Sequence, residues 1–247
     1  MLRKILINLS LFSALLLCSF GAQAQGMVRD FFACNFTNDA NMDDLMEARD
    51  YMLEHLEMGG IDPVTAFLWT PLKTNNEVDF LWFNQHESLN AFGAGQDDYL
   101  TNVHGQMVQN RFDGINECVS GIVTHQPLYT GGEFNPAGQS AIVNSSACQL
   151  KEGKSMAQVT DVIGSFTDMI DDLGSHDKSN GFMQTPLISS SGMDVYFFTV
   201  FGNLADWSAA ESAMGAAPQA QAIGAAFNDL VSCNTSLWQA QVIVQAP

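Results

Sequence analysis

The feature that most constrains the fold is an internal repeat. The motif Thr70-Pro71-Leu72 and the apolar run 78–83 recur 115 positions later as Thr185-Pro186-Leu187 and the run 193–198. A fixed offset kept over such a length indicates a duplicated structural unit. The same register continues through two further pairs, Phe112 with Phe227 and Cys118 with Cys233. With one residue of slippage, it also aligns Cys34 with Cys148.

The first 24 residues have the pattern of an export signal. Arg3 and Lys4 precede the apolar stretch 5–20, and Ala22-Gln23-Ala24 is a small-x-small cleavage site. We therefore predict cleavage near Ala24 and a periplasmic or secreted mature protein. Cys18 raises the alternative of lipidation, but Leu17 stands where a lipoprotein signal prefers a small residue.

The chain is strongly acidic, with a formal net charge of −18 at pH 7. Nucleic acids and anionic membranes both require basic surface, so we predict neither as a partner. No stretch after the signal is apolar enough to predict a membrane span. We attribute the excess of negative charge to the need for a soluble surface, and a cation-binding surface remains the alternative.

Four cysteines remain after signal cleavage, and the repeat selects their pairing. Each copy has one cysteine near its start and one near its end, which predicts the disulfides Cys34–Cys118 and Cys148–Cys233. Export supplies the oxidising compartment that these bonds need. A four-cysteine metal site is the competing interpretation, but the sequence contains no Cys-x-x-Cys spacing.

Hydrophobic periodicity gives each copy the element order β-α-β-β-α-β, the ferredoxin-like arrangement. We predict an α+β protein with repeat 1 at 25–126, a Pro- and Gly-containing linker at 127–139 and repeat 2 at 140–247. A ferredoxin-like sheet covered by helices on one face should expose the other, yet its strands carry apolar residues on both faces. The two repeats are therefore expected to pack sheet to sheet as an intrachain α+β barrel, consistent with a monomer.

The duplication and the doubly apolar strands resemble the dimeric α+β barrel superfamily. That group includes antibiotic-biosynthesis-monooxygenase-like and NIPSNAP-like proteins, and the resemblance covers nearly all of 28–244 at the level of topology. It implies a pocket between sheet and helices. Members include cofactor-free oxygenases, haem-binding proteins and proteins without assigned chemistry, and no catalytic residues transfer to this chain.

Four residues of repeat 1 are candidates for a ligand site. Trp69 and Trp82, on adjacent strands, could stack on an aromatic ligand, although core packing is the simpler explanation because aromatic side chains dominate such cores. Asp79 would be a general base if buried, or a strand-entrance residue that binds turn amides. His125 ends the fourth strand, facing either a pocket or solvent.

No cofactor and no metal site are predicted, although a metal site assembled from distant histidines stays open. The leading hypothesis is a binding or structural module for a small apolar or aromatic ligand. The alternative is a cofactor-free monooxygenase-like or haem-handling enzyme with a pocket in repeat 1. Whether the protein is an enzyme is left open at this stage.

Overall fold

The computed structural model describes residues 26–74, 77–131, 140–173, 176–189 and 191–246. The predicted export signal lies outside these residues. Repeat 1 contains β1 (Val28–Phe36), α1 (Met42–Gly59), β2 (Thr65–Lys73), β3 (Phe80–His86), α2 (Leu89–Thr101), α3 (Val103–Asp113) and β4 (Asn116–Thr130). Repeat 2 contains β5 (Ser140–Leu150), α4 (Met156–Asp172), a short 3₁₀ helix (His176–Lys178), β6 (Ser179–Ser189), β7 (Val195–Phe201), α5 (Leu204–Ala216), α6 (Pro218–Leu230) and β8 (Val231–Val244).

The eight strands form one closed antiparallel barrel in the order β1-β3-β2-β8-β5-β7-β6-β4. Each repeat contributes four adjacent strands, and the repeats join where β2 pairs with β8 and β4 pairs with β6. The predicted fold class is confirmed. The two sheets face each other across the interior and are also hydrogen-bonded along both edges, so the barrel has no free strand edge.

The closed barrel explains why the strands are apolar on both faces. On β2, Ala66 and Leu68 join Leu45 and Ala48 of α1 in the layer beneath the helices of repeat 1. The alternate residue Trp69 packs inside the barrel with side chains of both repeats, including Phe83, Phe198 and Trp238. One face of each strand thus belongs to a repeat's own core, and the other belongs to the core that the repeats share.

The second helical region of repeat 1 differs from its sequence pattern. Glycines within a run of residues predict a helix break, but α2 continues through Gly93 and Gly95 and ends at Thr101, with Asn102 as its C-cap. The Asn102 backbone N–H donates to the Asp98 carbonyl, and its side chain accepts a hydrogen bond from the His104 N–H. Asn102 therefore closes one helix and caps the next, which is a stronger helix boundary than a glycine within the helix.

The structure contains both within-repeat disulfides. Cys34–Cys118 links β1 to β4 and Cys148–Cys233 links β5 to β8, with sequence separations of 84 and 85. Each bond therefore joins the first and last strands of one repeat, and together they indicate an oxidising, extracellular or periplasmic setting.

The predicted linker is only partly described. β4 continues to Thr130, and residues from Pro127 to Thr130 pair with β6; positions 132–139 lie outside the described residues. Within the part of the chain that is described, no helix is both long and apolar enough to cross a membrane.

Candidate ligand cleft

Trp69 and Trp82 lie on opposite faces of the sheet. Trp69 opposes Leu81 and points into the barrel, whereas Trp82 opposes Leu68 and lies beneath the helices. The Trp82 indole donates to Asn84 at 2.7 Å and its ring packs edge to face on Phe112. The two tryptophans are therefore not brought together and cannot stack on one ligand.

Asp79 is exposed at the entrance to β3. Its carboxylate accepts a hydrogen bond from the Phe36 amide at 2.8 Å, and Asp194 accepts one from the Leu150 amide at 2.7 Å. The strand-entrance interpretation thus describes its position, although the amide it binds belongs to the end of β1 rather than to a turn. The carboxylate ties strand ends together in both repeats.

His125 is buried inside the barrel and is 4 % exposed. Its ring stacks on Phe182 with 4.7 Å between centroids, and its Nδ1 lies 3.4 Å from the Gln184 amide nitrogen. Burial, and secondarily the charge of Arg29, lowers the pKa of His125 to about 2. The imidazole is therefore neutral at pH 7, and it cannot act as a cationic ligand group.

Arg29 is the buried cation of the barrel interior. Its Nε and Nη2 atoms donate to the Gln85 side-chain oxygen at 3.1 and 2.6 Å. Its guanidinium lies 4.6 Å from the centre of the Phe67 ring and 5.7 Å from the centre of the Phe198 ring of repeat 2. Burial lowers the pKa of Arg29 to about 9, so it stays protonated at neutral pH. These contacts make Arg29 part of the packing between the repeats.

A cleft of about 490 Å³ lies in repeat 2, between its sheet and helices α4, α5 and α6. Ligand sites in proteins are typically concave and mostly apolar, with a few polar groups that fix orientation. None of the four residues predicted from sequence lines this cleft, and it lies in repeat 2 whereas the predicted pocket was in repeat 1. Its apolar walls include Val162, Phe166, Met169, Phe197, Met214, Ile223 and Phe227.

One wall of the cleft carries a carboxylate held by an amide. The Asn144 side chain on β5 donates to the Glu211 carboxylate on α5, with 3.1 Å between Nδ2 and Oε1. Both residues are half-buried, and Ser146 and Thr199 lie on the same lining. Hydrogen bonds to an ionised acceptor are stronger than neutral ones, so the Asn144 amide fixes the position of the Glu211 carboxylate on this wall.

The equivalent positions of repeat 1 are filled differently. Asp30, Trp82 and His86 correspond to Asn144, Phe197 and Phe201 of repeat 2. In repeat 1, Asp30 accepts from Asn84 at 3.1 Å and lies 2.8 Å from His86 Nε2. A buried polar network therefore occupies this layer of repeat 1, whereas a cleft is open in repeat 2.

The two repeats differ in sequence at positions that surround the cleft. Repeat 2 has asparagine and phenylalanines where repeat 1 has an aspartate, a tryptophan and a histidine. These differences remove the contact that Asp30 makes with His86 in repeat 1. Phe197 is smaller than its tryptophan counterpart and Phe201 is larger than its histidine counterpart, so side-chain volumes at these positions do not by themselves locate the cleft.

The described lining of the cleft does not provide a haem site of the usual kind. Haem iron is held by histidine, cysteinate or tyrosine side chains, or by methionine together with histidine. Among the described lining residues, histidine and cysteine are absent, so Met169 and Met214 have no histidine to pair with, and the Tyr129 hydroxyl contacts Ser179 at 3.4 Å. The side chain of His176 lies outside the described part. Within the described residues, no group of three or more His, Cys, Asp or Glu is arranged to hold a metal ion.

No protein-family model matches the chain, and no curated protein matches it by sequence. Solved structures match its fold. A proposed monooxygenase from Fusobacterium nucleatum superposes with a TM-score of 0.60 at 10% identity, covering 90% of this chain and 94% of that one. An anthrone oxidase-like protein gives 0.56 at 11% identity, covering 91% and 98%.

A chlorite dismutase from Candidatus Nitrospira defluvii gives a TM-score of 0.53 at 11% identity, covering 89% of this chain and 92% of that one. These neighbours have the dimeric α+β barrel, ferredoxin-like fold, and the present chain has that fold too. At such low identity the likeness extends to the fold and leaves the chemistry to be argued from the site.

Proposed function

We propose that the protein is an exported binding protein for a small, mainly apolar molecule, held in the cleft of repeat 2. The observation that carries this proposal is the cleft itself, about 490 Å³ in volume and walled by aromatic and aliphatic side chains. Its ligand would carry a hydroxyl or N–H group, because the carboxylate of Glu211 is the polar acceptor oriented by Asn144. The two disulfides support export, because such bonds persist in oxidising compartments.

The binding proposal is tested with an apolar fluorophore, N-phenyl-1-naphthylamine, titrated into the disulfide-intact protein. We expect saturable fluorescence enhancement at one site per chain. Mass spectrometry of an organic extract of the native protein would identify a co-purified ligand, which should displace the fluorophore. Enhancement that stays linear with fluorophore concentration, together with an extract containing no bound molecule, would contradict the proposal.

A second candidate function is oxidation of an aromatic substrate by molecular oxygen without a cofactor. Glu211 favours it, because a carboxylate inside an apolar cleft can accept a proton from an activated C–H or O–H group. The fold neighbours described as a proposed monooxygenase and as anthrone oxidase-like supply a substrate to try.

The oxidation candidate is measured with an oxygen electrode and an anthrone as substrate. Oxygen uptake above the uncatalysed rate that disappears in Glu211→Gln would support it. If the fluorophore binds but no protein-dependent oxygen uptake occurs, the protein is a binder and this candidate is rejected.

A further inference from the structure

Two histidines from different helices of repeat 1 meet side by side. His55 lies near the end of α1, and His104 lies in the first turn of α3. Their Nδ1 atoms are 3.1 Å apart, and the ring centroids are separated by 5.3 Å. His55 is 8 % exposed and His104 is half-buried, so the pair is held in the protein while one ring remains reachable from solvent.

Backbone anchors on both sides fix this geometry. The His104 N–H donates to the Asn102 side chain at 2.9 Å, and the Asn102 amide donates to the Gly59 carbonyl at 3.0 Å. A Cβ on Gly59 would lie 3.2 Å from the His104 Cβ, so glycine permits the close approach of the two helix ends. Tyr51 stacks on His55 with 4.0 Å between centroids. The two imidazoles are therefore positioned by contacts other than the one they make with each other.

We propose that His55 and His104 form a binding site for a divalent transition-metal ion such as Zn²⁺ or Cu²⁺, which both Nδ1 atoms ligate. Imidazole nitrogens bind these ions at about 2.05 Å. Two nitrogens 3.1 Å apart would subtend about 98° at such an ion, between the 90° of square-planar Cu²⁺ and the 109° of tetrahedral Zn²⁺. The separation already present is thus close to the one that coordination requires.

The chemistry of the pair without metal is compatible with this role. Two neutral Nδ1 atoms in contact need one shared hydrogen, which one ring donates and the other accepts. Metal binding moves that hydrogen to Nε2 of the same ring, so that both Nδ1 lone pairs reach the ion and no net proton is released. Water molecules complete the coordination, and the net charge of −18 attracts cations to the surface.

The site is tested by titrating Zn²⁺ into the disulfide-intact protein by calorimetry. We expect one saturable ion per chain, and at least tenfold weaker binding in His55→Gln and in His104→Gln. The exposed carboxylates Glu54 and Glu57 neighbour His55, so Glu54→Gln and Glu57→Gln serve as matched controls and should bind as the parent does.

Two further readouts make the result decisive. Zn²⁺ should raise the melting temperature of the parent protein and leave that of His104→Gln unchanged, because only a folded site gains stability from its ligand. Electron paramagnetic resonance with Cu²⁺ should show coupling to two nitrogens. Equal Zn²⁺ affinity in His104→Gln, or a Cu²⁺ spectrum with oxygen ligands alone, would overturn the proposal and assign cation binding to the acidic surface.

Discussion

The Asn144 side chain donates a hydrogen bond to the Glu211 carboxylate, with 3.1 Å between the amide nitrogen and the carboxylate oxygen. This bond joins β5 to α5 over an otherwise apolar cleft. The position equivalent to Asn144 in repeat 1 is Asp30, which is buried in a contact with His86 instead. The same layer of the fold therefore holds a closed polar network in one half and an oriented carboxylate beside open space in the other.

Filling the cleft should abolish ligand binding. A Cβ on Gly224 of α6 meets no atom within 4 Å, and this glycine lines the cleft, so the side chain of Gly224→Leu would extend from an unobstructed Cβ into the cleft. We expect loss of fluorophore binding together with a gain in stability of roughly 1 kcal/mol, since leucine favours a helix interior over glycine. Titration and thermal unfolding measure both effects.

The matched control for that variant is Gly164→Leu. Gly164 lies within α4, also faces open space and does not line the cleft. The Gly164→Leu variant should be stabilised by a similar amount and should bind the fluorophore with unchanged affinity. Equal loss of binding in both variants would show that the fluorophore binds elsewhere.

Neutralising Glu211 should discriminate between ligands. Glu211→Gln keeps the shape of the side chain and removes its charge, so a ligand with a hydroxyl or N–H donor should bind about tenfold more weakly, as expected for a charged hydrogen bond worth about 1.5 kcal/mol. Naphthalene, which has no donor, should bind with little change. Competition titrations with naphthol and naphthalene measure the difference, and an equal effect on both would contradict the role given to Glu211.

His125 should make the protein less stable in mild acid. Its folded-state pKa is about 2, whereas an unfolded histidine titrates near about 6.5. Below about pH 6.5 the imidazole is protonated in the unfolded chain but stays neutral in the folded protein. The contribution of His125 to the free energy of unfolding is therefore complete above about pH 6.5 and is lost as the pH falls. Between pH 7 and pH 5 the loss attributable to this residue is about 2 kcal/mol.

The variant His125→Gln isolates this contribution. It removes the titrating group, so denaturant unfolding at the two pH values should show a smaller loss for the variant than for the parent. Other groups titrate in both proteins and cancel in the comparison. An identical pH dependence would show that His125 takes up its proton equally in the folded and unfolded states and would contradict the prediction.

The two disulfides should contribute similarly to stability. Their sequence separations are 84 and 85, so the loop-closure argument gives each nearly the same effect, about 4 to 5 kcal/mol. Replacing Cys34 and Cys118 together by alanine, or Cys148 and Cys233 together, should lower the free energy of unfolding by comparable amounts in urea titrations. Non-reducing peptide mapping should recover only the within-repeat pairs; a Cys118–Cys148 peptide would contradict the pairing.

The sequence by itself determined the duplication, the cysteine pairing and the fold class. Local periodicity predicts helices and strands, and the 115-residue offset transfers each prediction from one copy to the other. Because β2 and β3 carry apolar residues on both faces, their sheet needs a second layer to cover it, and the other repeat supplies that layer. These are properties of short segments and of their repetition, so they can be read before any coordinates.

The location of the cleft was decided only by tertiary structure. A strand residue points to one of two faces, and the sequence does not say which face of β2 or β3 turns towards the barrel. Trp69 and Trp82 are close in the strand pairing, yet the sheet separates their side chains. Space beneath helices depends on side-chain volumes from several distant elements at once. The meetings of Asn144 with Glu211 and of His55 with His104 arise in the same way, since helix packing brings together residues that are 67 and 49 positions apart.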